Sequence, residues 1–341
     1  MSAATEKKRF PTAPVAIALF AAYFIACFFL PPKFNHQAYL ASIIDKHRAL
    51  ERAQSPKIVL VGGSNLAFGV DSDALSKAFG EPVVNMGVSK MFGLRYQFEE
   101  VKDALQPGDT VVIVPEYDCF RGDTGGSSYL LNVPLLMPRS LGWVLRSYCS
   151  TAEGPWQLVC DFVGVPSGKW NYWRKAIEQI TAHGAYPQSM PLSNPGEPPV
   201  ISRRGFTING DFRGHIDQPT PYDRYMKLSK EPIDPKIIDV VNRFQSFAQK
   251  GGIEVVIMPP PIPAEVYSKH QKLVDSTYDL WVKNFHCRIA GTPQRYLFAQ
   301  NCFYNSLYHL HHMSTIEEHT DRMIQDLSQT ALRPRHDSIQ L

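Results

Sequence analysis

The residues of this chain best suited to chemistry sit in Gly62-Gly63-Ser64-Asn65. A serine hydroxyl is a weak nucleophile until a base can take its proton, and it must stand clear of its own backbone to reach a carbonyl carbon. Ile58-Val59-Leu60-Val61 run without a break into the two glycines, and Asp71-Ser72-Asp73 supplies a helix-start signal shortly after. The stretch therefore reads as a buried strand delivering Ser64 into a tight turn. Glycines there allow φ > 0 and a close backbone approach, so that nearby N–H groups can point at an incoming carbonyl oxygen. The same residues would also suit a plain strand-turn-helix connection. A base is available at the other end of the chain, where His309 falls in Tyr304-Asn305-Ser306-Leu307-Tyr308-His309-Leu310, with His311, His312 and His319 close behind.

Elements between these segments must bring them together. Tyr39, Leu40, Ile43, Ile44 and Leu50 have helical spacing over residues 36–52, and a short helix is expected over 73–79. Pro82-Val83-Val84-Asn85-Met86-Gly87 reads as a second strand ending at a glycine. Residues 94–105 read as an amphipathic helix stopped by Pro107-Gly108-Asp109, and 110–114 as a third strand. Further on come a helix over 235–250, a strand over 253–258, a rigid Pro259-Pro260-Pro261-Ile262-Pro263 loop and a helix over 264–285. A final helix follows, with Ser314 or Thr315 as its cap. Strands alternating with helices predict an α/β fold whose parallel sheet is covered on both faces. Ligands of such sheets lie beyond the carboxyl ends of the strands. Ser64, the Asn85 to Gly87 segment and Pro115-Glu116-Tyr117-Asp118 are therefore expected to converge on one crevice.

The alternation breaks over residues 121–234, which read as an insertion over the active face, with helical pieces near 135–148 and 156–183 and a largely irregular remainder. Its Trp156, Trp170, Tyr172, Trp173, Tyr186, Tyr222 and Tyr225 would suit stacking on sugar rings, and equally a core. At the N-terminus Lys7-Lys8-Arg9 precede an uncharged apolar run over residues 15–30, closed by Pro31-Pro32. A bilayer needs about 20 such residues. The run reads as a membrane segment or signal peptide, and the absence of a small-x-small cleavage site favours a retained anchor. The basic flank would keep the N-terminus cytoplasmic, giving a single-pass protein of a bacterial inner membrane with its C-terminal domain in the periplasm. The expected organisation is a tail and transmembrane anchor (1–33), the first half of the α/β domain (34–120), the insertion as a candidate glycan-binding cap (121–234), the second half (235–330) and a tail (331–341). A net charge of +3 gives no reason to expect a nucleic-acid partner. Six cysteines show no CxxC spacing, so zinc and redox motifs are unsupported. Cys149 with Cys160 and Cys287 with Cys302 are the nearest disulfide pairs, with free buried thiols the other outcome.

Three blocks of the sequence resemble the SGNH/GDSL hydrolase superfamily, in particular its membrane-anchored members associated with envelope polysaccharide O-acylation. Gly62-Gly63-Ser64-Asn65 is similar to the block that carries the nucleophile and one oxyanion N–H. Asn85-Met86-Gly87 is similar to the block whose glycine N–H is an oxyanion donor, and Tyr304 to Leu310 to the block that carries an acid and the catalytic histidine. The resemblance covers roughly residues 57–118 and 235–328. It implies a three-layer, SGNH/flavodoxin-like sheet in which Ser64 is the nucleophile, His309 its base and Asn305 the partner of His309. It also implies an oxyanion hole from Ser64 and Gly87 with help from Asn65, and Asn85, Glu116, Tyr117 and Asp118 in supporting or substrate roles.

Two positions depart from the family pattern. Pro115-Glu116-Tyr117-Asp118 stands where the family has Gly-x-Asn-Asp, which removes a side-chain oxyanion donor, a loss of about 10²- to 10³-fold unless Tyr117 or a backbone group substitutes. Asn305 stands where the family has aspartate. Asparagine can fix the histidine tautomer without stabilising the imidazolium by charge, and such a change can cost about 10⁴-fold; Asp118 is the carboxylate that could stand in. The implied function is a serine acyl-esterase or O-acyltransferase, acetyl its expected group, acting on an envelope or exported polysaccharide, with a membrane-bound acyltransferase as a partner and no cofactor or metal. Glu116, Asp118, His309, His311 and His312 have no established metal-ligand spacing. The alternative is a catalytically degenerate member that binds glycan or scaffolds a polysaccharide assembly.

Overall fold

The computed structural model describes residues 36–121, 128–165, 201–220 and 225–330, with a few single positions besides. Most of the apolar run over 15–30, the tail, and Tyr172, Trp173, Tyr186 and Tyr222 lie outside the described residues.

The protein is an α/β fold around a five-stranded parallel sheet. The strands are β1 (Ile58–Gly62), β2 (Val83–Asn85), β3 (Thr110–Val114), β4 (Glu254–Ile257) and β6 (Arg288–Ile289), in the order β2-β1-β3-β4-β6. A smaller parallel pair joins β5 (Ile262–Pro263) to β7 (Leu297–Phe298). The unbroken apolar character of β1 and β3 follows from burial on both faces. Val59, Val61, Val111, Ile113, Val255 and Ile257 face one cluster, and Ile58, Leu60, Val112, Val114 and Val256 the other. On the first face pack α1 (Ile43–Arg52), α4 (Gly93–Lys102), α6 (Lys236–Lys250) and α7 (Ala264–Asn284), through Leu50, Phe98, Phe244 and Trp281 among others. The second face is covered by α2 (Ser64–Gly69), α3 (Ser72–Phe79) and α8 (Met313–Leu327), through Leu66, Leu75, Phe79, Met323 and Leu327. In the insertion, α5 (Leu141–Cys149) packs against α4.

Local signals set several boundaries. Asp71 caps α3 by accepting from the N–H groups of Asp73 and Ala74, and Gly80 ends it at φ 69°. The expected cap of the last helix is corrected. It begins at Met313, so Ser314 and Thr315 lie inside its first turn and the N-cap position falls to His312, which offers no side-chain cap.

Two expectations change more. A single-pass inner-membrane protein with a periplasmic domain is not what the structure carries: among the described residues no helix is long and apolar enough to cross a membrane. The 21-residue α7 has the length, but Glu265, Lys269, Lys272, Asp275, Asp279 and Lys283 interrupt it, and such charges are costly in hydrocarbon. Nor is the described part of the insertion only a cover. Residues 201–218 wedge into the fold, where Asn209 O accepts from Asn85 N–H, Phe212 N–H donates to Ala67 O, and the fully buried Phe212 packs on Phe68 and Tyr39. The five described cysteines are free thiols, so neither candidate disulfide is formed.

The chain runs from β1 outward to β2 and then returns to β3 on the other side of β1, which makes the carboxyl ends of β1 and β3 the point where ligands of open α/β sheets bind. Backbone contact there is close enough to dictate residue type. A Cβ on Gly62 would lie 2.4 Å from Val114 O, a backbone atom that cannot swing aside. Gly62→Ala should lower the unfolding free energy by about 1–3 kcal/mol, read as a lower urea midpoint at unchanged slope; an unchanged midpoint would contradict this packing.

Candidate active site

Ser64 opens α2 directly after β1, with Gly63 as its N-cap at φ −87°. Neither Gly62 nor Gly63 has positive φ, so the expected left-handed turn is absent. Close approach is the reason for glycine here: a Cβ on Gly63 would meet Glu116 Oε1 at 2.5 Å, and one on Gly87 would meet Gly63 O at 2.5 Å.

His309 reaches Ser64 from a small hairpin-like loop. Tyr304 N–H donates to His309 O, His311 N–H donates to Cys302 O, and Phe303 bridges Leu310. That closure puts the side chains of Asn305 and His309 side by side. His309 Nε2 lies 2.7 Å from Ser64 Oγ and its Nδ1 lies 2.6 Å from Asn305 Oδ1. With the Asn305 oxygen accepting, Nδ1 carries the proton and Nε2 offers its lone pair to the serine hydroxyl, the tautomer a general base needs. The imidazole stacks on Phe68, ring centroids 4.0 Å apart and planes 10° apart. Phe68 is four residues beyond Ser64 on the same helix, so the nucleophile's own helix orients the base. Burial pushes His309 down to about 3, with His215 and Lys90 adding to the effect. The ring is therefore neutral across the ordinary pH range.

The remaining sequence candidates divide. Glu116 is buried at the end of β3, its Oε1 3.3 Å from Ser64 Oγ, and the nearby Asn65 backbone N–H favours its charged form. Burial pushes Glu116 up to about 7, against the pull of Lys90 and with Asp118 adding to the rise. Asn85 Oδ1 accepts from Gly87 N–H at 3.0 Å, while its Nδ2 donates to Leu66 O and to Asp211 Oδ1, both at 2.9 Å. The Gly87 N–H expected to face an oxyanion is thus engaged by Asn85 in the resting site.

Three expectations are corrected. The Asn65 side chain turns into the sheet, where Nδ2 donates to Val114 O at 2.8 Å, so its amide is not an oxyanion donor. Tyr117 points into the core, fully buried and stacked on Trp281, with its backbone N–H on Tyr308 Oη; it does not replace the missing asparagine. Asp118 accepts from Lys90 Nζ at 2.6 Å and from Ser229 N–H at 2.8 Å, so His309 has Asn305 as its partner instead.

Sequence reasoning missed the supports. Lys90, in the loop after β2, lies 3.7 Å from Glu116 Oε2; burial pulls it down, but Glu116 and Asp118 outweigh that and hold it up at about 12. Asp211, brought in by the insertion, accepts from Ser72 N–H, Ser72 Oγ–H and Asn85 Nδ2. Lys46 Nζ donates to Asn85 O at 2.7 Å and to Gly210 O. The i, i+4 spacing of Ser64 and Phe68 was the one signal available; the others depend on contacts far apart in sequence.

Neither a protein-family model nor a curated protein matches this chain. Among the described residues no group of three or more His, Cys, Asp or Glu side chains is arranged to hold a metal ion.

Two further histidines fasten the base of the site. His215 Nε2 bonds Leu310 O and His319 Nδ1 bonds Gly69 O, and burial pushes each down to about 4. Such a histidine takes up a proton only on unfolding between its ordinary value near 6.5 and its folded value, so its contribution to stability is full above about 6.5 and lost as pH falls toward 4. His319→Asn, whose Nδ2 stands where Nδ1 does and can still donate to Gly69 O, removes that linkage. Its stability deficit relative to wild type should narrow by up to about 2 kcal/mol between pH 7 and 4.5, read from denaturant midpoints; a deficit that widens would contradict a neutral buried ring.

Proposed function

We propose that this protein is an SGNH-like serine acyl-transfer enzyme, an acyl-esterase or O-acyltransferase acting on ester-linked acyl groups of a polysaccharide, with acetyl the group its family resemblance suggests. The observation that carries the reading is the relay Ser64–His309–Asn305, joined by contacts of 2.7 and 2.6 Å with the imidazole in its neutral, accepting tautomer. In the mechanism His309 Nε2 takes the hydroxyl proton as Ser64 Oγ attacks the ester carbonyl carbon. The carbonyl π pair moves to oxygen, and backbone N–H groups of Ser64 and Gly87 stabilise it, Gly87 sharing its proton between the oxyanion and Asn85 Oδ1. Collapse expels the alcohol, which takes the proton back from His309. Water then releases the acyl group in an esterase, and a sugar hydroxyl accepts it in a transferase.

The sheet order β2-β1-β3-β4-β6 with helices on both faces supports a three-layer SGNH/flavodoxin-like architecture, although that likeness is of fold and does not by itself assign the reaction. A second reading has its own support. Asn305 brings no charge to His309, and Asn85 occupies the Gly87 N–H, which favours a degenerate member that binds glycan through the exposed Trp156 and Trp170.

A fluorophosphonate probe separates the two. The acyl-transfer reading expects covalent labelling at Ser64 that is absent in Ser64→Ala and reduced by about 10³-fold or more in His309→Ala. Folded wild type that stays unlabelled, yet binds acylated polysaccharide, would favour the glycan-binding reading.

A further inference from the structure

Acyl transfer at Ser64 needs hydrogen-bond donors where the carbonyl oxygen acquires charge, and the resting site has Gly87 N–H engaged by Asn85 Oδ1. It also has a carboxyl group where a donor should be. Glu116 Oε1 lies 3.3 Å from Ser64 Oγ, and the oxygen of an attacked carbonyl is only two bonds from that same Oγ. Glycine at position 63 leaves the space this carboxyl group fills, since a Cβ there would lie 2.5 Å from Oε1. A carboxylate at about 4 Å from a developing oxyanion would slow attack on the order of 10³-fold at an effective dielectric of about 20. A carboxylic acid in the same place donates a hydrogen bond instead.

We propose that Glu116 acts as a neutral acid, its O–H donating to the oxyanion formed by attack of Ser64, which makes it a further catalytic residue of this site. The inference rests on the acyl-transfer reading. The single Ser64 hydroxyl proton goes to His309 Nε2 at 2.7 Å, so across the 3.3 Å contact a protonated Glu116 is the donor to Ser64 Oγ. On attack the Ser64 proton passes to His309, the carbonyl π pair moves to oxygen, and the Glu116 O–H turns to that oxygen without giving up its proton. Collapse restores the carbonyl, expels the alcohol with the proton from His309, and returns Glu116 to its starting state. No charge other than the imidazolium and the oxyanion is made or lost.

The surroundings fit an acid that keeps its proton. Lys90 and Asp118 are the charged groups beside Glu116 among the described residues, opposite in sign and joined at 2.6 Å. Tyr39, Tyr308 and Cys119 also face it, and burial pushes all three up, so they are neutral. His309 is neutral as well. Burial, with Asp118 adding to it, holds Glu116 up at about 7 against Lys90, the Asn65 N–H and the Ser64 hydroxyl, which favour the charged form; below that pH the group is an acid, and above it a carboxylate.

The test is the second-order rate of fluorophosphonate labelling of Ser64 in the full chain from pH 5 to 9, for wild type, Glu116→Gln and Glu116→Ala. Wild type should be level to about pH 6.5 and fall by up to about tenfold per unit above about 7. Glu116→Gln, whose amide donates at every pH, should label up to about tenfold more slowly than wild type at pH 6 but lose the alkaline fall and overtake it by pH 9. Glu116→Ala should be about 10²- to 10³-fold slower at pH 6. A wild-type rate that is level or rises through pH 7, or a folded Glu116→Gln as slow as Glu116→Ala, overturns the role of Glu116 and leaves acyl transfer standing. If Glu116→Gln does not fold, the wild-type profile decides alone. Wild type unlabelled at every pH overturns both.

Discussion

The site depends on one contact, the hydrogen bond between Ser64 and His309, residues 245 positions apart. It requires a neutral imidazole with its lone pair toward the serine, and each surrounding feature holds that state. Burial disfavours the charged ring, Phe68 fixes its plane, and Asn305 fixes its tautomer. The loop bearing Asn305 and His309 is itself held by Tyr225, whose N–H donates to Asn305 O and whose carbonyl accepts from Leu307 N–H. The Tyr308 hydroxyl ties that loop to the end of β3 by accepting from Tyr117 N–H.

The nearby acidic groups are placed so as not to disturb that neutral state. A carboxylate beside His309 would favour imidazolium, and Asp118 is instead held by Lys90 and Ser229. Asp211 is buried, and its oxygens are taken up by Ser72, Asn85 and Arg213. Burial keeps it higher than an ordinary aspartate despite those bonds. Buried polar groups are costly unless hydrogen-bonded, and here their bonds cross-link the ends of β1, β2 and the insertion, giving rigidity to the ground on which Ser64 and His309 meet.

How much of this the sequence discloses depends on the range of the interaction. β1 and β3 are legible because a strand buried on both faces must be apolar at every position, as Ile58 to Val61 and Thr110 to Val114 nearly are. The meeting of Ser64 with His309 and Asn305 is legible because short motifs carry all three and parallel topology sends their loops to one edge. The roles of Phe212 and Asp211 are not, since they come from an irregular stretch whose pairing with Ala67 and Asn85 has no periodic signature. Tyr117 and Asn65 misled for a related reason: each lies in a motif position next to the crevice, yet backbone geometry at the strand end turns one into the core and the other onto Val114 O. The apolar run over residues 15–30 shows the limit of composition, which suggested a location that no described helix supports.

The chemistry of the site turns on His309 being a neutral base bonded through Nε2 to Ser64. Nitrogen NMR of histidine-labelled protein tests it most directly. The expected spectrum has a neutral ring at pH 6 with the proton on Nδ1 and an Nε2 resonance that moves in Ser64→Ala. An imidazolium at that pH, a proton on Nε2, or a resonance indifferent to the loss of the serine hydroxyl would contradict it.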